Sequence, residues 1–249
     1  MILRIKFLKL CLFLVLIFPL ELYAQEVYID HVIVAVCNLE KAINSMTSEG
    51  FTHKKGKLHD NGLLNAHIKF NNGTELEYMS VQKVTDDPLA ITYQNFLKKG
   101  PGGAFLALGG IPIDSLALKL KATNIKYNVI TSNLWSYLTF PDTSALAHLF
   151  FIEYHFDHTK EEVKYTTHTN GAQSIRKVWM EGNDSVNQLF EWLKMPITSS
   201  SQSKNVYTTP TGKIAVIRKK VHDHRPRIKS ISFIVPDKAG NIVLNFNSL

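Results

Sequence analysis

The strongest constraint on the fold is residues 27–81, which predict a strand, a helix and three further strands in that order. Residues 27–36 (VYIDHVIVAV) are rich in β-branched side chains and too short for a helix. Residues 39–49 then place apolar side chains at helical spacing, between a capping Asn38 and a terminating Gly50. A complete β-α-β unit is therefore expected before the final two strands.

The second half of this stretch predicts a β-hairpin. Residues 65–70 and 74–81 read as strands, and Asn-Asn-Gly at 71–73 supplies the positive φ angles of a tight turn. Residues 51–60 supply the strand before them. Because side chains alternate along a strand, Glu77 is expected to face away from the side that packs on the helix.

The same order of elements recurs in the next part of the chain. Residues 103–110 predict a strand, residues 114–124 a helix, and three strand-like segments follow within residues 125–155. Repetition at roughly 70 to 75 residues is stronger evidence than any single propensity. It predicts an α+β fold built from repeated βαβββ units.

A third, fainter copy follows. Residues 173–180 read as a strand and residues 184–193 as a helix, with three more strands expected at 206–209, 213–219 and 228–235. The polar residues 198–203 (TSSSQS) are expected to form a loop.

The first 24 residues predict a secretory signal peptide. Three basic residues precede the apolar residues 10–20, and Ala24 offers a small side chain for cleavage. The apolar run is shorter than the roughly 20 residues that a membrane span needs, so no permanent membrane span is expected. The protein is therefore expected to be exported, to the periplasm or the extracellular space.

The expected division of the chain is a signal peptide at 1–24, a paired βαβββ domain at 25–160 and a third, degenerate βαβββ unit at 161–249. Without the first segment the net charge falls from +7 to +5, which does not suggest nucleic acid as a partner. Cys37 is then the one remaining cysteine, so no intramolecular disulfide can form. Stability must come from a hydrophobic core.

Three ionisable residues lie inside strongly apolar strands, namely His31, Glu77 and Glu153. Burial of a carboxylate costs several kcal/mol unless it is paired or bound to a cation. One histidine and two glutamates at matching positions of repeated units therefore indicate a divalent metal site with open positions for a substrate. The structural alternatives are a hydrogen-bonded core histidine, a water-facing Glu77 and a buried ion pair at Glu153.

The chain also resembles the glyoxalase-like domain of the vicinal oxygen chelate superfamily. The resemblance covers most of residues 27–180 and rests on the order of six motifs: 29–32 (IDHV), 49–51 (EGF), 59–65 (HDNGLLN), 73–77 (GTELE), 150–154 (FFIEY) and 168–172 (HTNGA). It implies paired βαβββ units that form a curved, cup-like mixed sheet, with helices outside and a divalent metal inside.

Carried over by resemblance, the metal positions fall on His31, Glu77 and Glu153. One nitrogen and two carboxylate ligands suit Zn, Mn, Fe or Ni. A fourth position falls in residues 104–108, where no side chain can coordinate.

Other expected site residues also follow from the resemblance. His59 is the candidate for proton transfer, with His155 as the alternative. The expected substrate contacts are Asn65, His168 and Asn170. The two leucines after Gly62 narrow the expected pocket.

Two functions are compatible with these residues. One is metal-dependent lyase, isomerase or dioxygenase chemistry on a small vicinal-oxygen compound, and the buried position of Glu153 favours it. The other is a non-catalytic module that sequesters a small ligand, which the missing ligand at 104–108 favours. The partner is a small molecule in both cases, and the third unit pairs either within the chain or in a homodimer.

Overall fold

The structure is a computed structural model that describes residues 26–157, 161–218, 227–235 and 242–246. The expected signal peptide, residues 1–24, lies outside the described residues. Within the described part of the chain, no helix combines the length and the apolar character that a membrane crossing requires.

The described residues form five helices and a fourteen-stranded mixed sheet. The helices are α1 (Leu39–Ser48), α2 (Pro88–Leu97), α3 (Ile113–Lys121), α4 (Val163–Thr166) and α5 (Asp184–Trp192). The strands are β1 (Tyr28–Ala35), β2 (Lys54–Leu58), β3 (Leu63–Lys69), β4 (Glu75–Val81), β5 (Gly102–Gly109), β6 (Asn128–Thr131), β7 (Trp135–Thr139), β8 (Leu149–Tyr154), β9 (Ser174–Gly182), β10 (Ile197–Ser200), β11 (Lys204–Thr209), β12 (Gly212–Arg218), β13 (Ile228–Ile234) and β14 (Val243–Asn245).

The first two parts of the chain have the same strand order. β4 lies parallel to β1 and is followed outward by β3 and β2, while β8 lies parallel to β5 and is followed by β7 and β6. β1 and β5 pair antiparallel and join the two parts. The α+β fold with a mixed sheet, predicted from the sequence, is confirmed.

The third part of the chain places β12 parallel to β9, followed outward by β11 and β10. Two details differ from the expectation. Residues 198–203 were expected to be a loop but include most of β10, an exposed edge strand in which polar side chains face water on both sides. Residues 228–235 were expected to be the last strand of the third unit, but β13 (Ile228–Ile234) instead pairs antiparallel with β9, as β5 does with β1. The boundaries 25–160 and 161–249 stay a prediction.

One hydrophobic core lies on the face of the sheet that carries α1, α3 and α5. In α1 the buried side chains are Leu39, Ile43 and Met46, at the predicted helical spacing. Phe233 of β13 packs against Phe51, with ring centroids 5.1 Å apart. The third part therefore shares its core with the first.

The opposite face of the first two parts, which we call the front face, carries Ile33, Met79, Ala107 and Phe150. Helix α2 packs on this face through its buried side chains Ala90, Tyr93 and Phe96. Pro88 at the start of α2 and Asp87, whose side chain accepts from the Ala90 amide at 2.9 Å, explain why the helix begins there.

Candidate functional site

A β-bulge in β1 places two consecutive ionisable residues together. Ile29 is opposite Leu108 and His31 is opposite Ala107, so Asp30 and His31 together oppose one residue of β5. A bulge breaks the strict alternation of side chains. As a result Asp30 Oδ1 lies 2.6 Å from His31 Nδ1.

A hydrogen-bonded cluster surrounds His31 on the front face. His31 Nε2 lies 3.6 Å from Glu77 Oε2, and Asn65 Nδ2 donates to Glu77 Oε1 at 2.8 Å. On the other side, the Tyr154 hydroxyl donates to Asp30 Oδ1 at 3.1 Å. We call Asp30, His31, Asn65, Glu77 and Tyr154 the His31 cluster.

The environment of His31 keeps its imidazole charged at neutral pH. Burial by itself would lower the pKa, but the hydrogen bond and charge of Asp30, with the charges of the two β4 glutamates, raise the pKa of His31 to about 9. Burial and the charge of Asp30 raise the pKa of Tyr154 above its ordinary range. Its hydroxyl therefore stays protonated and acts as a donor.

Glu75 belongs to a second charged group beside the cluster. Its carboxylate contacts His67 Nδ1 at 3.2 Å and Lys69 Nζ at 2.5 Å. Glu161 pairs with Lys69 at 3.3 Å and with Lys54 at 2.9 Å. Burial would raise the pKa of Glu75, but the hydrogen bond from His67 and the neighbouring cations lower it below its ordinary range. Glu75 is therefore ionised and paired.

The structure does not bring Glu153 to the His31 cluster. Phe150 and Ile152 face the front, so alternation along β8 turns Glu153 to the helix side. There Glu153 Oε2 accepts a hydrogen bond from the backbone amide of Ile113, at 2.8 Å. Helix α3 follows Pro112 without a side-chain cap of its own. The carboxylate therefore gives a partner to an amide of the first turn that has none within the helix, and its negative charge suits the helix dipole. Glu153 is therefore only half-buried, not fully buried as expected, and its position has a structural cause.

The residues around His31 do not fit the expected three-ligand metal site. The register partners of His31 on the neighbouring strands are Glu75 of β4 and Ala107 of β5, and Phe150 of β8 is the next residue across the sheet. The methyl group of Ala107 and the phenyl ring of Phe150 cannot coordinate a metal. The Phe150 ring instead packs edge-on against the imidazole, with centroids 5.4 Å apart. Among the described residues, no three His, Cys, Asp or Glu side chains form a metal-binding group.

Asn65, an expected substrate contact, lies in the His31 cluster. Its Oδ1 accepts from the Lys57 backbone amide at 2.9 Å, while its Nδ2 binds Glu77. This close approach requires Gly56, because a Cβ there would overlap Asn65 Oδ1. Asn65 therefore holds the Glu77 carboxylate in place.

His168 and Asn170, the other expected substrate contacts, lie elsewhere and fasten the segment before β9 to the first part. His168 Nδ1 accepts from the Thr52 amide at 3.0 Å, and Nε2 donates to the Lys69 carbonyl at 2.9 Å. Asn170 Nδ2 donates to the Glu49 carbonyl at 2.9 Å. Burial lowers the pKa of His168, so its ring is neutral, as one acceptor and one donor nitrogen require.

His59, the expected proton-transfer residue, lies in the turn between β2 and β3. Its backbone amide donates to the Leu63 carbonyl at 2.8 Å. None of the hydrogen bonds found among the described residues joins the His59 side chain to the His31 cluster. Leu63, 1% exposed, fills space on the front face. His155, the alternative, contacts Ser136 Oγ at 3.1 Å instead.

Sequence reasoning missed Asp30 and Tyr154. Asp30 is a second ionisable residue in the same apolar strand as His31, and this could have indicated a role for it. Strict alternation along a strand, however, places the Asp30 side chain on the face opposite His31. Tyr154 ends the apolar segment that contains Glu153, and only Glu153 was predicted to be a site residue there.

Comparison with known proteins agrees with this fold. The sequence pattern of the glyoxalase-like domain family matches residues 29–196. A hypothetical protein from Staphylococcus aureus aligns with a TM-score of 0.62 at 17% identity, over 78% of this chain and 87% of that chain. Methylmalonyl-CoA epimerase from Mycobacterium tuberculosis aligns with a TM-score of 0.40 at 18% identity, over 51% of this chain and 85% of that chain. No curated protein matches the chain.

A further similar structure is Streptomyces coelicolor methylmalonyl-CoA epimerase in complex with 2-nitronate-propionyl-CoA, with a TM-score of 0.40 at 14% identity, over 50% of this chain and 94% of that chain. The family match spans more than half of the 249 residues. The chain therefore belongs to the glyoxalase-like domain family, as the order of its motifs predicted.

Proposed function

We propose that this protein is a binding module of glyoxalase-like fold that holds a small oxygen-rich molecule at the His31 cluster. The observation that carries the proposal is the spacing of 3.6 Å between His31 Nε2 and Glu77 Oε2. This distance is too long for a direct hydrogen bond. It leaves a charged donor and a carboxylate acceptor side by side.

Such a pair suits a molecule with neighbouring oxygens. One ligand oxygen accepts from the imidazolium of His31, and an adjacent hydroxyl donates to the carboxylate of Glu77. The Glu77 side chain is 13% exposed and that of His31 is 6% exposed, so the ligand reaches Glu77 first. Helix α2 and Leu63 occupy much of the front face, which favours a small ligand.

The charge state of His31 favours binding over proton abstraction. A histidine with a pKa of about 9 carries no free lone pair at neutral pH, so it cannot act as a general base there. Glu77 is held by Asn65 at 2.8 Å, which lowers its freedom to follow a moving proton. These groups are therefore better suited to recognition.

The second candidate is metal-dependent lyase, isomerase or dioxygenase chemistry on a vicinal-oxygen compound. The 3.6 Å distance between His31 Nε2 and Glu77 Oε2 supports it as well, since release of the His31 proton would leave a nitrogen and a carboxylate oxygen that could hold one cation. A bound cation would polarise substrate oxygens. Glu153 would not take part, because its carboxylate binds the Ile113 amide.

Calorimetric titration and metal analysis of the purified protein separate the two functions. Vicinal diols and 2-hydroxy acids are titrated into metal-free wild type, Glu77→Gln and the control Glu153→Gln. The binding module predicts saturable binding that is lost in Glu77→Gln and kept in the control. Stoichiometric metal lost in Glu77→Gln would support the second candidate instead, and neither binding nor metal would refute both.

We also propose export through residues 1–24, supported by the three basic residues before the apolar run. N-terminal sequencing of protein recovered from the periplasm or medium should begin at Gln25. An intact Met1 in the exported fraction would contradict the proposal.

A further inference from the structure

A row of cationic and hydroxyl side chains crosses four strands of the third part. Lys213 of β12 is the register partner of Lys177 of β9 and also of Thr208 of β11. Ser232 of β13 is the partner of Lys177 on the other side. We call Thr208, Lys213, Lys177 and Ser232 the lysine row.

The lysine row lies on the face of the sheet opposite α5. The neighbouring residues Val178 and Ile214 are register partners of each other and are fully buried in the core that α5 joins. Side chains alternate, so Lys177 and Lys213 point the other way. Lys213 is exposed and Lys177 is half-buried.

The two lysines of the row have no acidic partner within the described part of the chain. In contrast, Lys229 on the same face pairs with Glu181 at 2.9 Å. Burial lowers the pKa of Lys177, and the charges of Lys204, Lys213 and Arg176 lower it further. Like charges on adjacent strands are destabilising, so the row is a place where an anion would relieve repulsion.

The Trp179 ring restrains the ammonium group of Lys177 against the sheet through a cation–π contact. Lys177 Nζ lies 5.0 Å from the centroid of the Trp179 ring, and both residues are on the same face of β9. A cation over an indole ring is attracted by the ring quadrupole. Lys177 is thus restrained beside Lys213.

We propose that the lysine row binds an oxyanion of the phosphate or sulfate type between the ammonium groups of Lys177 and Lys213. Adjacent strands lie about 4.8 Å apart, so two ammonium groups in register can reach one tetrahedral anion. Thr208, which is partly exposed, adds a hydroxyl group at one end of the row. The anion is either a free ion or an acidic group on a larger molecule.

Titration of inorganic phosphate, sulfate and a sugar phosphate at constant ionic strength tests the proposal. The full purified protein is compared with Lys177→Ala/Lys213→Ala and with the control Lys119→Ala/Lys121→Ala, which removes the same charge from the exposed last turn of α3. Calorimetry and the Trp179 indole resonance should show saturable binding that weakens about tenfold in the lysine-row variant. The control should bind as the wild type does.

The relative affinities for the sugar phosphate and for inorganic phosphate distinguish the two sources of the anion. Tighter binding of the sugar phosphate than of inorganic phosphate would support an acidic group on a larger molecule, and equal binding a free ion. Circular dichroism checks that the double variant folds, and Lys213→Gln, at an exposed position, provides a milder second variant. No saturable binding by the wild type, or equal weakening in the control, would overturn the proposal.

Discussion

Two buried histidines on the front face have opposite charge states. His31 is 5% exposed and lies between carboxylates, so its pKa rises to about 9. His148 is 2% exposed, just before β8, and among the described residues neither of its ring nitrogens has a hydrogen-bond partner. Burial lowers the pKa of His148 to about 3, and the charge of Glu181 offsets only part of this. Similar burial therefore gives a cation in one place and a neutral ring in the other, because the neighbours differ.

The surroundings of His148 explain its neutrality. It lines a small cavity with the apolar side chains of Phe96, Phe105 and Ala104 and also with Thr92 and Asp142. Among the described residues neither ring nitrogen has a hydrogen-bond partner, and burial without such a partner favours the neutral ring. In the His31 cluster, by contrast, the Asp30 carboxylate lies within hydrogen-bond distance of the ring, and hydroxyl and amide groups hold the two carboxylates in place. The two rings therefore differ in whether a hydrogen-bonded counter-charge lies beside them, and this difference can be tested.

Replacement of His31 should have the largest effect on stability. In His31→Leu the carboxylates of Asp30 and Glu77 remain buried without their cation, and loss of one partner of a buried pair costs about 3–5 kcal/mol. Urea unfolding at neutral pH measures this loss. His148→Leu is the matched control and should change stability by less than about 1.5 kcal/mol, since no partner is left behind. Equal losses in the two variants would contradict the comparison.

Acid should act through His148, and below pH 4.5 also through Glu75, whose pKa is lowered below its ordinary range. The folded pKa of His148, about 3, lies below the ordinary value of 6.5, so the unfolded chain takes up this proton first. The stabilisation is present above pH 6.5 and is lost as pH falls from 6.5 towards 3, at up to about 1.4 kcal/mol per pH unit. Unfolding measured across this window should decline less steeply in His148→Leu. An unchanged slope would show that His148 is not buried as a neutral ring.

Alkali should act through His31 with the opposite sign. Its folded pKa of about 9 lies above the ordinary value of 6.5, so the stabilisation is present below pH 6.5 and is lost as pH rises towards 9. The slope is again at most about 1.4 kcal/mol per pH unit, over a narrower window. Histidine resonances followed by NMR between pH 6 and 10 should show His31 titrating near the upper end. A midpoint near 6.5 would refute the charged state.

Glu153→Gln should have the smallest effect. An amide oxygen still accepts from Ile113, but the charge at the start of α3 is lost, which costs about 0.3–1 kcal/mol. Glu77→Gln should cost more, because it leaves His31 short of a counter-charge. Thermal unfolding of both variants shows which substitution causes the larger loss of stability. A larger loss for Glu153→Gln would place this residue in a charged cluster after all.

The sequence by itself determined the α+β class, the order of elements in the first two parts and the family. The sequence also predicted that His31 and Glu77 share a face, because polar residues alternate with apolar residues along β4 and this alternation shows which side chains face the same way. Three of the expected site residues were separated from that face by the tertiary structure, namely Glu153, His168 and Asn170.

Tertiary structure alone decided what surrounds His31. The bulge that adds Asp30 depends on the register between β1 and β5, which no local pattern records. β8 is apolar on both faces, so its sequence has no alternation from which the direction of Glu153 could be read. The charge of a buried histidine depends on residues that are distant in sequence, because electrostatic neighbours are set by strand pairing and not by chain order.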